Sequence, residues 1–139
     1  MRRLPAAALI AVALWAGCSK GASSSASPEV SSYAAYAAKA SRIVDEVVAG
    51  EFSKVRAEFD ERMKAGLSEA KLREGWAQFQ SIFGAYEGKG EPDVLERGDV
   101  TVVNVPLDMK LKPGEARITF DANGRIAGLF FLRTGVPVP

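Results

Sequence analysis

Between residues 28 and 86 the apolar positions recur at helical spacing, and beyond Tyr86 they alternate with polar ones. In the first segment Tyr33, Tyr36, Ala40, Ile43, Val44, Val47 and Val48 form one stripe, with Lys39, Arg42, Asp45 and Glu46 off it. The three- and four-residue steps predict an amphipathic helix. Ser27-Pro28-Glu29 supplies an N-cap, a proline at the first helical position and an acid in the first turn, and Gly50 is the expected stop. A shorter helix follows on Phe52, Val55 and Phe59, with Ser53 as its cap. The charged run from Asp60 to Gly66 predicts a loop or a frayed turn. Ser68-Glu69 then caps a third helix, with Leu67 placed to staple onto Leu72. Its residues Leu72, Trp76, Phe79, Phe83 and Tyr86 share an arc of about 80° if each residue turns roughly 100°. Such a narrow aromatic face must bury against something flat, and Gly75 beside it leaves room for a neighbouring backbone.

After Tyr86 the period falls to two. Glu87 to Glu96, interrupted by Gly88, Gly90 and Pro92, suits a weak edge strand, and Arg97-Gly98-Asp99 turns the chain. In the next strand, Val100 to Lys112, Val103, Val105, Leu107, Met109 and Leu111 alternate with Asn104, Asp108, Lys110 and Lys112, which leaves one face wet. Lys112-Pro113-Gly114-Glu115 predicts a type II turn into Ala116–Asp121, and Asp121-Ala122-Asn123-Gly124 predicts the last hairpin. The final strand, Arg125–Arg133, is apolar on both faces, so a central or doubly covered position is expected. The prolines of 134–139 mark a tail that cannot extend the sheet far. Helices followed by a meander define an α+β domain: about three helices packed on one face of a curved antiparallel four-stranded sheet, residues 28–133.

The start of the chain has a different character. Arg2 and Arg3 precede an apolar run too short to span a bilayer comfortably, which ends in Trp15-Ala16-Gly17-Cys18. This segment resembles a bacterial lipoprotein signal. The resemblance implies that residues 1–17 are removed, that Cys18 carries the acyl chains, and that the Gly/Ser/Ala run 18–27 is a flexible tether. Two or more chains anchor a protein where one does not, since each buried methylene contributes about 0.8 kcal/mol. The expected location is therefore the bacterial cell envelope. Ser19 resembles the residue that releases lipoproteins to the outer membrane where one is present.

Composition narrows the chemistry. The chain has no histidine, and its one cysteine is Cys18. A Ser-His-Asp triad, a Cys-His pair and a His-containing zinc site are thereby excluded. The 18 basic residues nearly balance 17 acidic ones, and loss of Arg2 and Arg3 leaves 16 against 17, a net of −1. A nucleic-acid partner is not expected from such a balance. No calcium-loop pattern occurs and no carboxylates are paired by spacing, so neither a metal nor any cofactor is expected and no catalytic residue is assigned. Arg97-Gly98-Asp99, the tripeptide of adhesion ligands, reads as an ordinary hairpin turn.

The runs Ile43–Phe52, Phe59-Asp60, Leu67-Ser68 to Trp76, Val102–Leu107 and Phe120–Leu129 together resemble a bacterial family known as domain of unknown function 3887. That resemblance implies a cone-shaped roll of the nuclear transport factor 2-like or cystatin-like kind. Family members also occur ahead of α/β-hydrolase domains, whose catalytic residues are expected to match no position among these 139 residues. A cleft between the layers of such a roll is the expected ligand site, lined by Tyr36, Trp76, Phe79, Met109, Phe120 and Phe131. The expectation is a membrane-anchored, noncatalytic module for a small apolar ligand or an envelope protein. The alternatives are an accessory module for a separate envelope enzyme such as a hydrolase, and a small pocket enzyme using a carboxylate or Tyr.

Overall fold

The computed structural model describes residues 28–139. The signal segment, Cys18, the tether and the Ser27 cap lie outside the described residues. Helices α1 (Pro28–Val48), α2 (Phe52–Ala57), α3 (Glu61–Gly66) and α4 (Glu69–Phe83) come first. They are followed by β1 (Tyr86–Lys89), β2 (Asp93–Arg97), β3 (Val100–Met109), β4 (Gly114–Phe120) and β5 (Ile126–Arg133), the α+β order that the change of period predicts.

Helix α1 buries Ala40, Ile43, Val44 and Val47 and half-buries Tyr36, while Val48 faces out. It stops at Gly50, whose φ of 77° lets the chain turn left-handed. There the Gly50 amide donates to Val47 at 3.0 Å and the Glu51 amide to Glu46 at 2.8 Å, the paired closure of a Schellman end. Helix α2 begins at Phe52 with Glu51 at the cap position, two residues earlier than a Ser53 cap requires. The segment Glu61–Gly66 is a helix and not the expected loop or frayed turn. Asp60 makes it one, because its carboxylate accepts the Met63 amide at 2.7 Å and Glu61 sits in the positive first turn. This helix buries no residue fully, so it leaves no apolar period to read. In α4 the Ser68 hydroxyl accepts the Lys71 amide at 3.2 Å, and Leu72, Trp76, Phe79 and Phe83 are buried as the narrow arc requires. Gly75 admits no close neighbour, contrary to expectation; it faces open space.

The sheet runs β1–β3–β4–β5, with β2 also on β3. Strands β1 and β2 are one edge strand broken at residues 90–92: Lys89 pairs with Leu107 and Asp93 with Asn104. Gly90 donates to Pro106 at 2.9 Å across the break, while Pro92 has no amide to give a ladder. Strand β5 is the opposite edge and not a central strand, and Phe130 on it is 55% exposed. The doubly covered strand is β4, where every residue but Thr119 is buried. Gly114 starts that strand and is not at the second corner of a type II turn, since its φ is not positive. It is glycine because a Cβ there would lie 2.5 Å from Phe79 Cζ and 3.2 Å from the Leu132 carbonyl oxygen.

The helices cover one face of the sheet. Val103, Val105, Leu107 and Met109 of β3, Ala116, Ile118 and Phe120 of β4, and Leu129 of β5 join the helical residues in one core. Two bonds stitch the layers at the far edge: the Asp60 amide donates to Ile126 at 2.9 Å and the Ile126 amide to Glu58 at 2.8 Å. The hairpin at 121–124 forms as expected, with Asp121 Oδ1 accepting the amides of Asn123 and Arg125 at 2.8 and 3.0 Å.

Candidate functional site

Alternation puts a second set of side chains on the sheet face away from the helices. Register aligns Val102 with Thr119, Asn104 with Arg117 and Phe130, and Pro106 with Glu115 and Leu132. Arg117 and Glu115 should be wet at such positions, yet they are 6% and 8% exposed. The tail buries them. Arg117 donates from Nη1 to the Pro137 carbonyl at 3.0 Å and from Nη2 to the Val136 carbonyl. Its Nε reaches Asn104 Oδ1 at 2.8 Å and its Nη2 also reaches Glu115 Oε1 at 2.8 Å. The guanidinium thus straps residues 136–137 across the sheet, and Thr134 Oγ1 adds a bond to the Gly114 carbonyl at 3.3 Å.

Between the strap and the strands lies an open groove of ≈ 530 Å³, within the range usual for small-molecule sites. Its floor is Val100, Val102, Thr119, Phe130 and Leu132, its wall is the run 136–139, and its polar groups are Arg97 and Arg117. No Asp or Glu side chain lines it. Arg97 enters through the two-residue turn at Gly98-Asp99, which sets it opposite Val100 on the same face.

The six residues expected to line a cleft between the layers lie elsewhere. Trp76, Phe79 and Phe131 come together, with ring centroids 5.0 to 5.8 Å apart, and Phe83 and Tyr86 extend the cluster. Tyr36 meets Phe120 at 5.2 Å, and Met109 pairs with Tyr86 across the ladder. Trp76, Phe79, Met109 and Phe120 are buried in the core, and Tyr36 and Phe131 are partly buried against it. Cys18 lies outside the described residues. None of the groove residues was singled out by the cleft argument. Two signals pointed to them: the apolar second face of Ile126–Arg133, and the valines of a tail too proline-rich to be a strand.

Several acidic groups are engaged by cations. Arg42 donates to Glu46 and Glu58 at 2.7 Å each, and Lys39 lies 3.3 Å from Glu58. Burial pushes the Glu58 carboxyl up, but the hydrogen bonds from Arg42 and Lys39 outweigh it and hold the group below the ordinary glutamate range. Lys89 pairs with Asp45. Burial raises the Tyr86 phenol above its usual range, so at neutral pH it is a neutral donor and not a base. Among the described residues no three His, Cys, Asp or Glu side chains are grouped to hold a metal. No helix among them is long and apolar enough to cross a membrane.

A helical layer against an antiparallel sheet, with an apolar groove on the far face, defines the class as an α+β domain with its opening away from the helices. The family model described as a protein of unknown function (DUF3887) matches residues 40–129, and the chain belongs to that family. No curated protein and no solved structure matches it.

Proposed function

We propose that the chain is a lipid-anchored, noncatalytic binding module of the bacterial cell envelope that takes a small apolar ligand in the outer groove. The observation that carries this reading is the groove itself: an apolar floor on a sheet face that the helices leave free, walled by a segment held in place by Arg117. Hydrophobic sites of this size bury most of a ligand's surface and need only a few polar groups for orientation. The absence of Asp and Glu side chains from its lining favours binding over acid–base catalysis, which needs a suitably placed titratable group within reach of the substrate. The helical layer on one face of the sheet is compatible with the cone-shaped roll that the family resemblance implies. Anchoring rests on the Arg2-Arg3 start, the apolar run and Gly17-Cys18, and Ser19 favours the outer membrane where one exists.

The test is binding of an anilinonaphthalene sulfonate dye to a chain that starts after Cys18, under native conditions. One saturable site is expected, and Thr119→Trp, which fills the groove from its half-buried floor, abolishes it. Unsaturable binding, or binding indifferent to Thr119→Trp in a variant that still folds, contradicts the reading.

A further inference from the structure

We propose that the outer groove takes a single-chain carboxylate amphiphile, a fatty-acid-like molecule, with its headgroup on Arg97 and its chain along Val100, Val102, Phe130 and Leu132. This inference rests on the binding role proposed above and gives it a ligand class. Charge complementarity carries it. Two guanidinium groups and no Asp or Glu side chain line the groove, and the two guanidinium groups are not equivalent. Arg117 is spent on Asn104, Glu115, Val136 and Pro137, which take four of its five N–H donors, and its charge is paired with Glu115.

Arg97 is exposed, and its one described hydrogen bond is a long 3.5 Å contact to the carbonyl of its neighbour Glu96. It forms no ion pair among the described residues, and Asp99 across the turn is not bonded to it. A cation left without a partner at the mouth of an apolar groove supplies what the headgroup of an amphiphile requires.

Geometry gives the chain its course. Arg97 lies on β2, at one edge of the sheet, and Phe130 and Leu132 lie on β5, at the other. Three ladder spacings separate those edges, about 14 Å, long enough for an extended acyl chain of medium length. The headgroup follows from the fork of the guanidinium, which matches the two oxygens of a carboxylate with parallel hydrogen bonds. One unpartnered guanidinium also neutralises the single charge of a carboxylate, whereas a phosphate dianion would keep an uncompensated charge beside apolar walls.

The test uses the full lipid-anchored chain in bilayer nanodiscs, with diazirine-bearing dodecanoic acid and the matched dodecanol as probes at fixed lipid. Cross-linked peptides are mapped by mass spectrometry, and folding of each variant is checked by its urea midpoint. The acid is expected to label residues of the outer face and of 134–139. Arg97→Glu should raise the half-labelling concentration of the acid about tenfold, equivalent to about 1.4 kcal/mol. Arg97→Lys should raise it less, and labelling by the alcohol should not respond to either variant. An acid as indifferent to Arg97→Glu as the alcohol overturns the headgroup assignment while leaving the groove reading intact. A diacyl phospholipid that displaces the acid more effectively than unlabelled dodecanoate overturns the single-chain source. Failure of both probes to label the outer face overturns the binding role as well.

Discussion

Replacing Arg117 by methionine separates two accounts of why a charged pair sits beneath the tail. In the structure Arg117 is 6% exposed and Glu115 8%, with 2.8 Å between Nη2 and Oε1, and the same guanidinium holds the Val136 and Pro137 carbonyls and Asn104. Removing one partner of a buried pair strands the other charge, which typically costs about 3–5 kcal/mol. Here the cost should fall at the low end, about 3 kcal/mol, because the cover over Glu115 is a short segment that can lift and admit water. The double variant Glu115→Met with Arg117→Met strands nothing and places two apolar side chains against Val136 and Val138. Its expected loss is about 1 kcal/mol or less, so the singles and the double are strongly non-additive. Urea titration of the domain measures this through Trp76, the one tryptophan among the described residues. Hydrogen exchange at the Val136 and Val138 amides reports the strap directly and should speed up in Arg117→Met. A single variant costing under about 1 kcal/mol, or a double variant costing the sum of the singles, would refute the argument.

Gly114→Ala should destabilise by about 1–3 kcal/mol in the same titration, because its methyl meets a buried Phe79 ring that cannot move aside cheaply. Trp76→Ala, which empties the centre of the aromatic cluster and removes the fluorophore, should cost about 3–5 kcal/mol in a urea titration followed by far-UV circular dichroism, and a loss under about 1 kcal/mol would place that ring outside the core. Glu58 has a carboxyl pKa lowered by folding, so its contribution is present above the ordinary value of 4.5 and is lost as pH falls through the lower folded value. Glu58→Gln should therefore cost about 1 kcal/mol or less at neutral pH and flatten the acid limb of the stability profile, which an unchanged limb would contradict. Cys18→Ser should remove the protein from the membrane fraction, and equal membrane recovery with normal cleavage would sink the anchoring reading.

Much of the core was legible in the sequence because each buried face carries a local period. The arc Leu72, Trp76, Phe79 and Phe83 and the alternation Val103, Val105, Leu107 and Met109 both bury as spaced. Helix α3 escaped because its stability lies in an Asp60 cap and in charges at its ends, without a buried stripe. The position of β5 escaped for a different reason. Its second apolar face, Phe130 and Leu132, borders a groove walled by the tail, not by another strand or a helix. That wall depends on bonds between Arg117 and carbonyls 19 and 20 residues away. Backbone carbonyls leave no mark in a side-chain pattern, so the groove could be inferred only from residues that fitted neither face well.

The central claim is that the ligand-binding surface lies on the sheet face away from the helices. Titration of the isotopically labelled domain with decanoate, followed by two-dimensional amide NMR, tests it most directly. The account predicts saturable shifts at Arg97, Val100, Val102, Thr119, Phe130, Leu132, Val136 and Val138, with Trp76, Phe79 and Met109 unmoved. Shifts centred on Trp76, Phe79, Met109 and Phe120 would place the ligand between the layers and contradict it.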